Sequence, residues 1–395
     1  MRLQLIVTAM MLMLSLGSIG QSADADSNRA PIDINFLFNY YSQDGNNSAV
    51  TGGTGTEELE DISAKMVLRV PVDSTARVIL RAGINHYSSA STDRIDFRIS
   101  SASSVDNRVE AQLEYGRDFG EGRKAFSYHA GASIESDYLS SSVGGSMAWR
   151  SKNRSRSFVL SGDLFLDRWI IYFPEELRRD SLLPSIPTDR RRSLQFSASW
   201  QQVLNRRLQF ELTVEPGLQQ GLLSTPFHRV YFVGENTPGI ERFPTWKMRI
   251  AAAGRLHAFI SPFLVLKSGY RIYVDDFGVL AHTIDLEMPL KAGSSFSIAP
   301  FYRFHNQSAS DFFAPFAQHE QGSVYHTSDW DLSAFNSHQL GAAIRIEPAF
   351  GIGGSASRAK ISPITGLRMR GGWYQRSDGL EAWMISLETQ WRVDR

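Results

Sequence analysis

FLVLKSGYRIYVDDFGVLAHTIDLEMPLKAGSSFSIAPFYRFHN, residues 263–306, is the stretch whose reading decides the fold. It contains three ladders of alternating apolar and polar side chains, joined by two tight turns. In the first, Leu264, Leu266, Tyr270, Ile272 and Val274 share one face, and Lys267, Gly269, Arg271, Tyr273 and Asp275 share the other. Beyond Asp276-Phe277-Gly278, the second sets Leu280, Ile284, Leu286, Met288 and Leu290 against Ala281, Thr283, Asp285 and Glu287. Beyond Lys291-Ala292-Gly293, the third sets Phe296, Ile298, Pro300, Tyr302 and Phe304 against Ser297, Ala299, Arg303 and His305. Successive strand residues point to opposite faces, so each ladder has one apolar and one wet face. Charged residues in the middle of long strands need a watery compartment. A soluble sandwich turns its apolar face inward; a membrane barrel turns it outward to lipid and keeps the charges around a polar lumen.

The remainder of the chain favours the barrel. Its 395 residues carry 41 basic and 41 acidic side chains, a balance that gives no support to a nucleic-acid partner. There is no cysteine, which excludes disulfides, thiol catalysis and thiolate metal sites. Arg2, the apolar run Leu3 to Gly17 and the small-x-small triplet Ala23-Asp24-Ala25 read as a signal peptide over 1–25, leaving 26–395 as one barrel domain. No later segment approaches the ~20 consecutive apolar residues of a spanning helix, so any membrane span must be β.

Sixteen strands of spanning length are expected, within a range of 14 to 18, near 32–42, 60–71, 76–86, 107–117, 125–136, 141–151, 155–167, 192–203, 207–217, 246–259, 263–275, 279–290, 294–306, 334–347, 365–376 and 380–393. The connections 43–59, 87–106, 168–191, 218–245 and 307–333 are long; most of those between them are short. That asymmetry predicts an up-and-down antiparallel transmembrane barrel with short periplasmic turns, long extracellular loops and both termini in the periplasm. The Gly/Ser-rich stretch 348–363 departs from the rule, through either a misread strand or an elaborated turn. Trp383 and Trp391 share one face, about 26 Å apart at ~3.3 Å per residue, which suits two aromatic girdles.

A set of ordered segments resembles a known family. They include Tyr87-Ser88-Ser89-Ala90-Ser91, Arg192-Ser193-Leu194-Gln195, Gly221-Leu222-Leu223-Ser224, Tyr273-Val274-Asp275-Asp276-Phe277-Gly278, Phe301-Tyr302-Arg303, Asp311-Phe312-Phe313 and Ser328-Asp329. Together they are similar to the DUF3570 family of bacterial envelope proteins. That resemblance implies an outer-membrane β-barrel and supplies no chemistry.

The residues expected to line the lumen are Lys65, Arg69, Arg77, Arg81, Arg249, Arg255, Lys267, Arg271, Asp285, Glu287, Arg303, Arg345, Arg368 and Arg370, with further acids at Glu110, Glu114, Asp163, Glu211, Glu215, Glu347 and Glu388. Two arrangements are open: opposed arcs of charge creating a transverse field, or local pairing between neighbouring strands. The serine clusters 88–91 and 100–103 lack a G-x-S-x-G elbow, and loop hydration explains them better than a nucleophile. The nine histidines show no H-E-x-x-H spacing, so no metal, catalytic or cofactor residue is expected. His319 and His326 share the loop 307–333 with Asp311, Glu320, Asp329 and Asp331; a cation site and a constriction folded into the pore are open readings there, behind that of a solvated loop. Expected partners are outer-membrane lipid, small polar solutes and an envelope protein. The leading function is a porin-like conduit without enzymatic activity. Its alternative is a scaffold holding a protein partner or plug, such as part of an envelope redox system. The third, a barrel-embedded hydrolase, has no motif behind it.

Overall fold

In the computed structural model the described residues are 30–88, 105–177, 187–355 and 361–394. The expected signal peptide and all but the first residue of the two serine clusters lie outside them. Among the described residues there is no α-helix. The described residues form nineteen extended segments and three short 3-10 turns. The strands are β1 (Ile32–Asp44), β2 (Leu59–Pro71), β3 (Ala76–Ser88), β4 (Val105–Phe119), β5 (Lys124–Ile134), β6 (Tyr138–Arg150), β7 (Arg156–Ile170), β8 (Thr188–Val203), β9 (Leu208–Gly221), the short pair β10 (Arg229–Val230) and β11 (Gly239–Ile240), β12 (Trp246–Ser261), β13 (Leu264–Asp275), β14 (Leu280–Glu287), β15 (Leu290–Lys291), β16 (Phe296–Gln307), β17 (Phe335–Ile346), β18 (Ile364–Arg376) and β19 (Glu381–Val393).

Apart from β10 and β11, each strand pairs antiparallel with its neighbour in sequence, and β1 pairs with β19 as well as β2. The sheet therefore closes on itself. β14 and β15 form one stave, interrupted at Met288-Pro289, so there are sixteen staves, as expected from the sequence. Proline has no N–H for the ladder; Met288 N–H instead donates to the Pro300 carbonyl at 2.9 Å. Closure leaves no edge strand with unpaired backbone groups, which is what a hydrocarbon surround demands. The pairing Ile32 with Val393 places the first and last strands' outer ends together, at the end of the short turns.

Register fixes the two faces. Lys65 lies opposite Gly83, and Gly83 opposite Glu110, so the Lys65 ammonium reaches Glu110 across an intervening strand at 2.7 Å. Such a reach is available on the concave side. On the convex side Leu113, Tyr128, Val143, Met248, Ile385 and Trp383 stand exposed. Aromatic pairs ring this surface near the short turns: Phe119 with Phe126, Trp149 with Phe158, Trp200 with Phe210, and Phe36 with Trp391. Near the opposite end Tyr270 and Tyr302 donate to, or accept from, the outward histidines His282 and His338 at 2.7 and 2.9 Å. An apolar belt between amphipathic rings is the pattern of a barrel solvated by lipid. The fold is thus an all-β transmembrane antiparallel up-and-down barrel with sixteen staves. Of the stretch 348–363, the described residues 348–355 and 361–363 form turns and bends between β17 and β18, with no strand among them.

Candidate functional site

The inward charges are paired locally. Arg81 meets Glu114 at 2.7 Å, Arg255 meets Glu211 at 2.7 Å, Arg271 meets Glu215 at 3.1 Å, Arg303 meets Asp285 at 2.6 Å and Arg368 meets Glu388 at 3.3 Å. Arg345 pairs with Glu347, just past the end of its strand, and Arg77 approaches Asp118 at 3.7 Å. Arg249 donates to the Gln195 side-chain oxygen at 2.9 Å. Arg69 lies opposite Asp33 and Ile79 on the same face. Local pairing, rather than opposed arcs and a transverse field, is the arrangement found. Most of these side chains remain partly exposed, so the lumen is wet, and a cavity of about 820 Å³ lined by Glu211, Arg255, Asp285, Arg303 and Tyr374 lies within it.

One cluster is more than a simple pair. Glu287 accepts from Lys267 at 2.8 Å and from Arg370 at 3.0 Å. Arg370 sits on β18, Glu287 on β14, with two staves between. The guanidinium crosses that distance by lying over the Phe301 ring, 3.6 Å from its centroid. Phe301 faces inward because Gly341 opposite it leaves room; a Cβ at 341 would run into that ring and the Gly371 carbonyl. Phe301 was missed by pattern reading, since an aromatic on a wet face looks like noise. The inward glycines at 341 and 372 beside it were the available signal.

The connection 307–333 was expected to be a solvated loop; it packs instead, together with the described residues of the connections after β1, β7 and β9. The connection 45–58 leaves between β1 and β2, and 222–245 leaves between β9 and β12, eight staves away around a sixteen-stave ring. The Arg229 guanidinium nevertheless donates to the Val50 carbonyl at 2.6 Å and to Glu176 of the β7–β8 connection at 2.8 Å. The Trp330 indole N–H, from 308–334, donates to the Gly53 carbonyl at 2.9 Å. Segments 222–245 and 308–334 exchange backbone hydrogen bonds between Arg242 and His326, at 3.0 and 2.9 Å. Phe243, Phe277 and Phe312 form a three-ring cluster with centroids 5.1 to 6.1 Å apart. Gly278, at φ +86°, makes the turn that delivers Phe277 into it. Val230 and Thr327 are fully buried, and His319 and His326 are buried with them. These segments form a folded cap across the mouth.

The cap is bolted to the wall by Arg376, an inward residue at the top of β18. It donates to Asp331 at 2.5 Å, to the Trp330 carbonyl at 2.7 Å and to Asp378 at 2.5 Å, and lies over the Phe335 ring. Burial, reinforced by Asp331, pushes the Glu57 carboxyl up to about 7. Burial likewise raises Asp329 to about 6, although His228 opposes the shift. Burial alone would lower His228, but the Glu241 carboxylate beside it, together with Asp329 and Asp331, outweighs that and raises it. The groups His228, Glu241 and Asp329 converge within the cap; histidine spacing gave no hint of them, because they meet only through loop packing.

No curated protein matches the chain. Among solved structures, a variant of the ferric enterobactin receptor of Pseudomonas aeruginosa is similar at 11% identity, covering 88% of this chain and 54% of its own, with a TM-score of 0.47. A bacterial polysaccharide outer membrane secretin is similar at 9% identity over 91% of this chain and 98% of its own, TM-score 0.48. A siderophore receptor of Pseudomonas aeruginosa is similar at 9% identity over 91% and 80%, TM-score 0.42. This chain spans about half the length of the enterobactin receptors. The sequence profile described as "Protein of unknown function (DUF3570)" matches residues 87–352, two thirds of the chain, and the protein belongs to that family.

Proposed function

We propose that this protein is a capped conduit for small polar solutes across the bacterial outer membrane. Its long connections face outward and both termini lie in the periplasm. The observation that carries the reading is the continuous wet surface of paired charges inside a closed barrel, running from Lys65 and Arg81 round to Arg368 and Arg370. Paired charges hydrate a lumen while leaving little net field, so a solute of either sign can exchange its water for fixed dipoles and ions. The cap over the mouth makes passage conditional on its opening. The reading assigns no covalent chemistry to the protein.

The test is single-channel recording of the purified protein in planar bilayers. Wild type is expected to show rare or small openings. A variant lacking residues 229–240 is expected to conduct steadily. Absence of conductance in both would overturn the reading.

A second reading has its own observation. The interlocked cap is a folded surface presented on a barrel, suited to holding an envelope protein partner, including one that carries electrons. Crosslinking in intact cells distinguishes it: a discrete heteromeric adduct from a cap residue supports a scaffold, and recovery of monomer alone counts against it.

A further inference from the structure

Two cap segments converge on a cluster that the conduit reading does not use. His228 and Glu241 come from 222–245; Asp329 comes from 308–334. The His228 Nδ1 atom is 3.3 Å from Glu241 Oε2 and 3.9 Å from Asp329 Oδ2. The three donor atoms all lie within 4.8 Å of one another. Both carboxylates are held from behind. The Thr225 N–H donates to Glu241 Oε1 at 2.6 Å, and the Thr327 hydroxyl donates to Oε2 at 2.7 Å. The Asp331 N–H donates to Asp329 Oδ1 at 2.9 Å. Outer hydrogen bonds of this kind orient carboxylates toward a shared centre, as around protein-bound metals.

Charge and spacing point the same way. Among the described residues, His228 is the one basic side chain within ion-pair distance of either carboxylate. A protonated imidazole balances one of them and leaves one buried negative charge. A divalent cation beside a neutral imidazole balances both. Donor atoms around an ion with bonds of ~2.1 Å stand roughly 3.0 to 3.4 Å apart. The histidine–glutamate pair is already at that spacing, and the histidine–aspartate distance exceeds it by about half an ångström. The Glu241 side chain is 2% exposed, but His228 and Asp329 keep 17% and 26%, which gives an ion a path from solvent.

We propose that His228, Glu241 and Asp329 bind a divalent transition ion, with solvent completing its shell, and that the ion clasps 222–245 to 308–334. The nitrogen donor selects the class: imidazole suits zinc, copper, nickel and iron, whereas calcium takes six to eight oxygens. Binding displaces the proton of His228 and leaves the Thr225 and Thr327 hydrogen bonds in place. The proposal does not depend on whether solutes pass through the lumen.

The test uses the full-length protein in detergent, stripped with a chelator and titrated with Zn²⁺ against a colorimetric zinc indicator. Wild type should bind one ion per chain. His228→Ala and Asp329→Asn should each weaken binding at least tenfold, while Asp73→Asn, in the β2–β3 turn at the other end of the barrel, should leave it unchanged. Co²⁺ added to wild type should give visible d–d absorption, a readout that needs no variant to fold. Zinc should also slow protease cleavage within 222–245 in wild type but not in His228→Ala. Zinc uptake by wild type no greater than by His228→Ala, or a Co²⁺ spectrum identical to that of free aqueous Co²⁺, would overturn the proposal and leave a histidine–carboxylate ion pair.

Discussion

The Arg229 guanidinium donates to the Val50 carbonyl across the mouth of the barrel, 2.6 Å between residues 179 apart in sequence. Connections rooted on opposite sides can meet in this way only by spanning the opening. Arg229 is nearly buried, and its loss removes the donor to the Val50 carbonyl and a cation from beside Glu176. Hydrogen bonds to charged groups contribute about 1.5–3 kcal/mol, so Arg229→Ala should speed amide exchange in 45–58 and 222–245 by roughly thirtyfold. Exchange within β12 to β14 should be unchanged. Mass spectrometry of deuterium uptake checks both; equal protection of the two connections in variant and wild type would show that other contacts hold the cap.

Glu287 carries two cations, Lys267 and Arg370. Glu287→Gln removes the shared counter-charge and leaves a local excess of positive charge on the lumen wall. The cap-deleted channel should then shift its reversal potential toward anion preference in a salt gradient. Raising the salt concentration should shrink the shift, since half-exposed charges are screened over ~10 Å at 0.1 M. No shift would mean that the permeating path avoids this wall.

Acidity should tighten the metal-free cap. Glu57 and Asp329 have folded-state values raised to about 7 and about 6, chiefly by burial. A carboxyl raised on folding destabilises the folded form as it ionises, so stability falls as pH climbs from the ordinary carboxylate range through the raised value. His228 is also raised, and its favourable contribution is full below the ordinary imidazole value and lost as pH passes the higher one. All three signs agree. In the presence of a chelator, protease sensitivity of 222–245 should increase between about pH 5 and pH 8, and Glu57→Gln should flatten the lower part of that rise. A sensitivity that falls with pH would contradict the packing around Glu57.

Leu113 and Gln112 are adjacent on β4 and face opposite ways. Leu113, 56% exposed, lies in the outward belt. An arginine there should cost about 2–4 kcal/mol of folding stability in a bilayer if the position lies near mid-plane. Gln112→Arg, one residue earlier, meets water and should cost far less. Urea unfolding from lipid vesicles measures both, and similar costs at the two sites would refute the assignment of faces.

How much of this was legible depends on the range of the physics involved. The alternation of Lys267, Arg271, Asp285 and Arg303 with Leu266, Ile272, Ile284 and Tyr302 was readable because side-chain direction has a period of two along a single strand. Long and short connections could be measured by counting. Glu287 and Arg370 were both placed on the wet wall, but their partnership was hidden, since it needs Phe301 turned inward over Gly341. His319 and His326 looked solvated, because polar composition alone does not reveal what a loop packs against.

Sequence by itself determined the sixteen staves, the alternation of wet and apolar faces along them and the even closure that leaves the first and last strands' chain ends at one end of the barrel. Those properties follow from local periodicity and from the need to satisfy every backbone group in lipid. Tertiary structure alone decided that the charges pair, that the mouth is spanned, and that His228, Glu241 and Asp329 meet. Those are encounters between distant segments, set by shape and by the energy of burying them together, and no spacing along the chain encodes them.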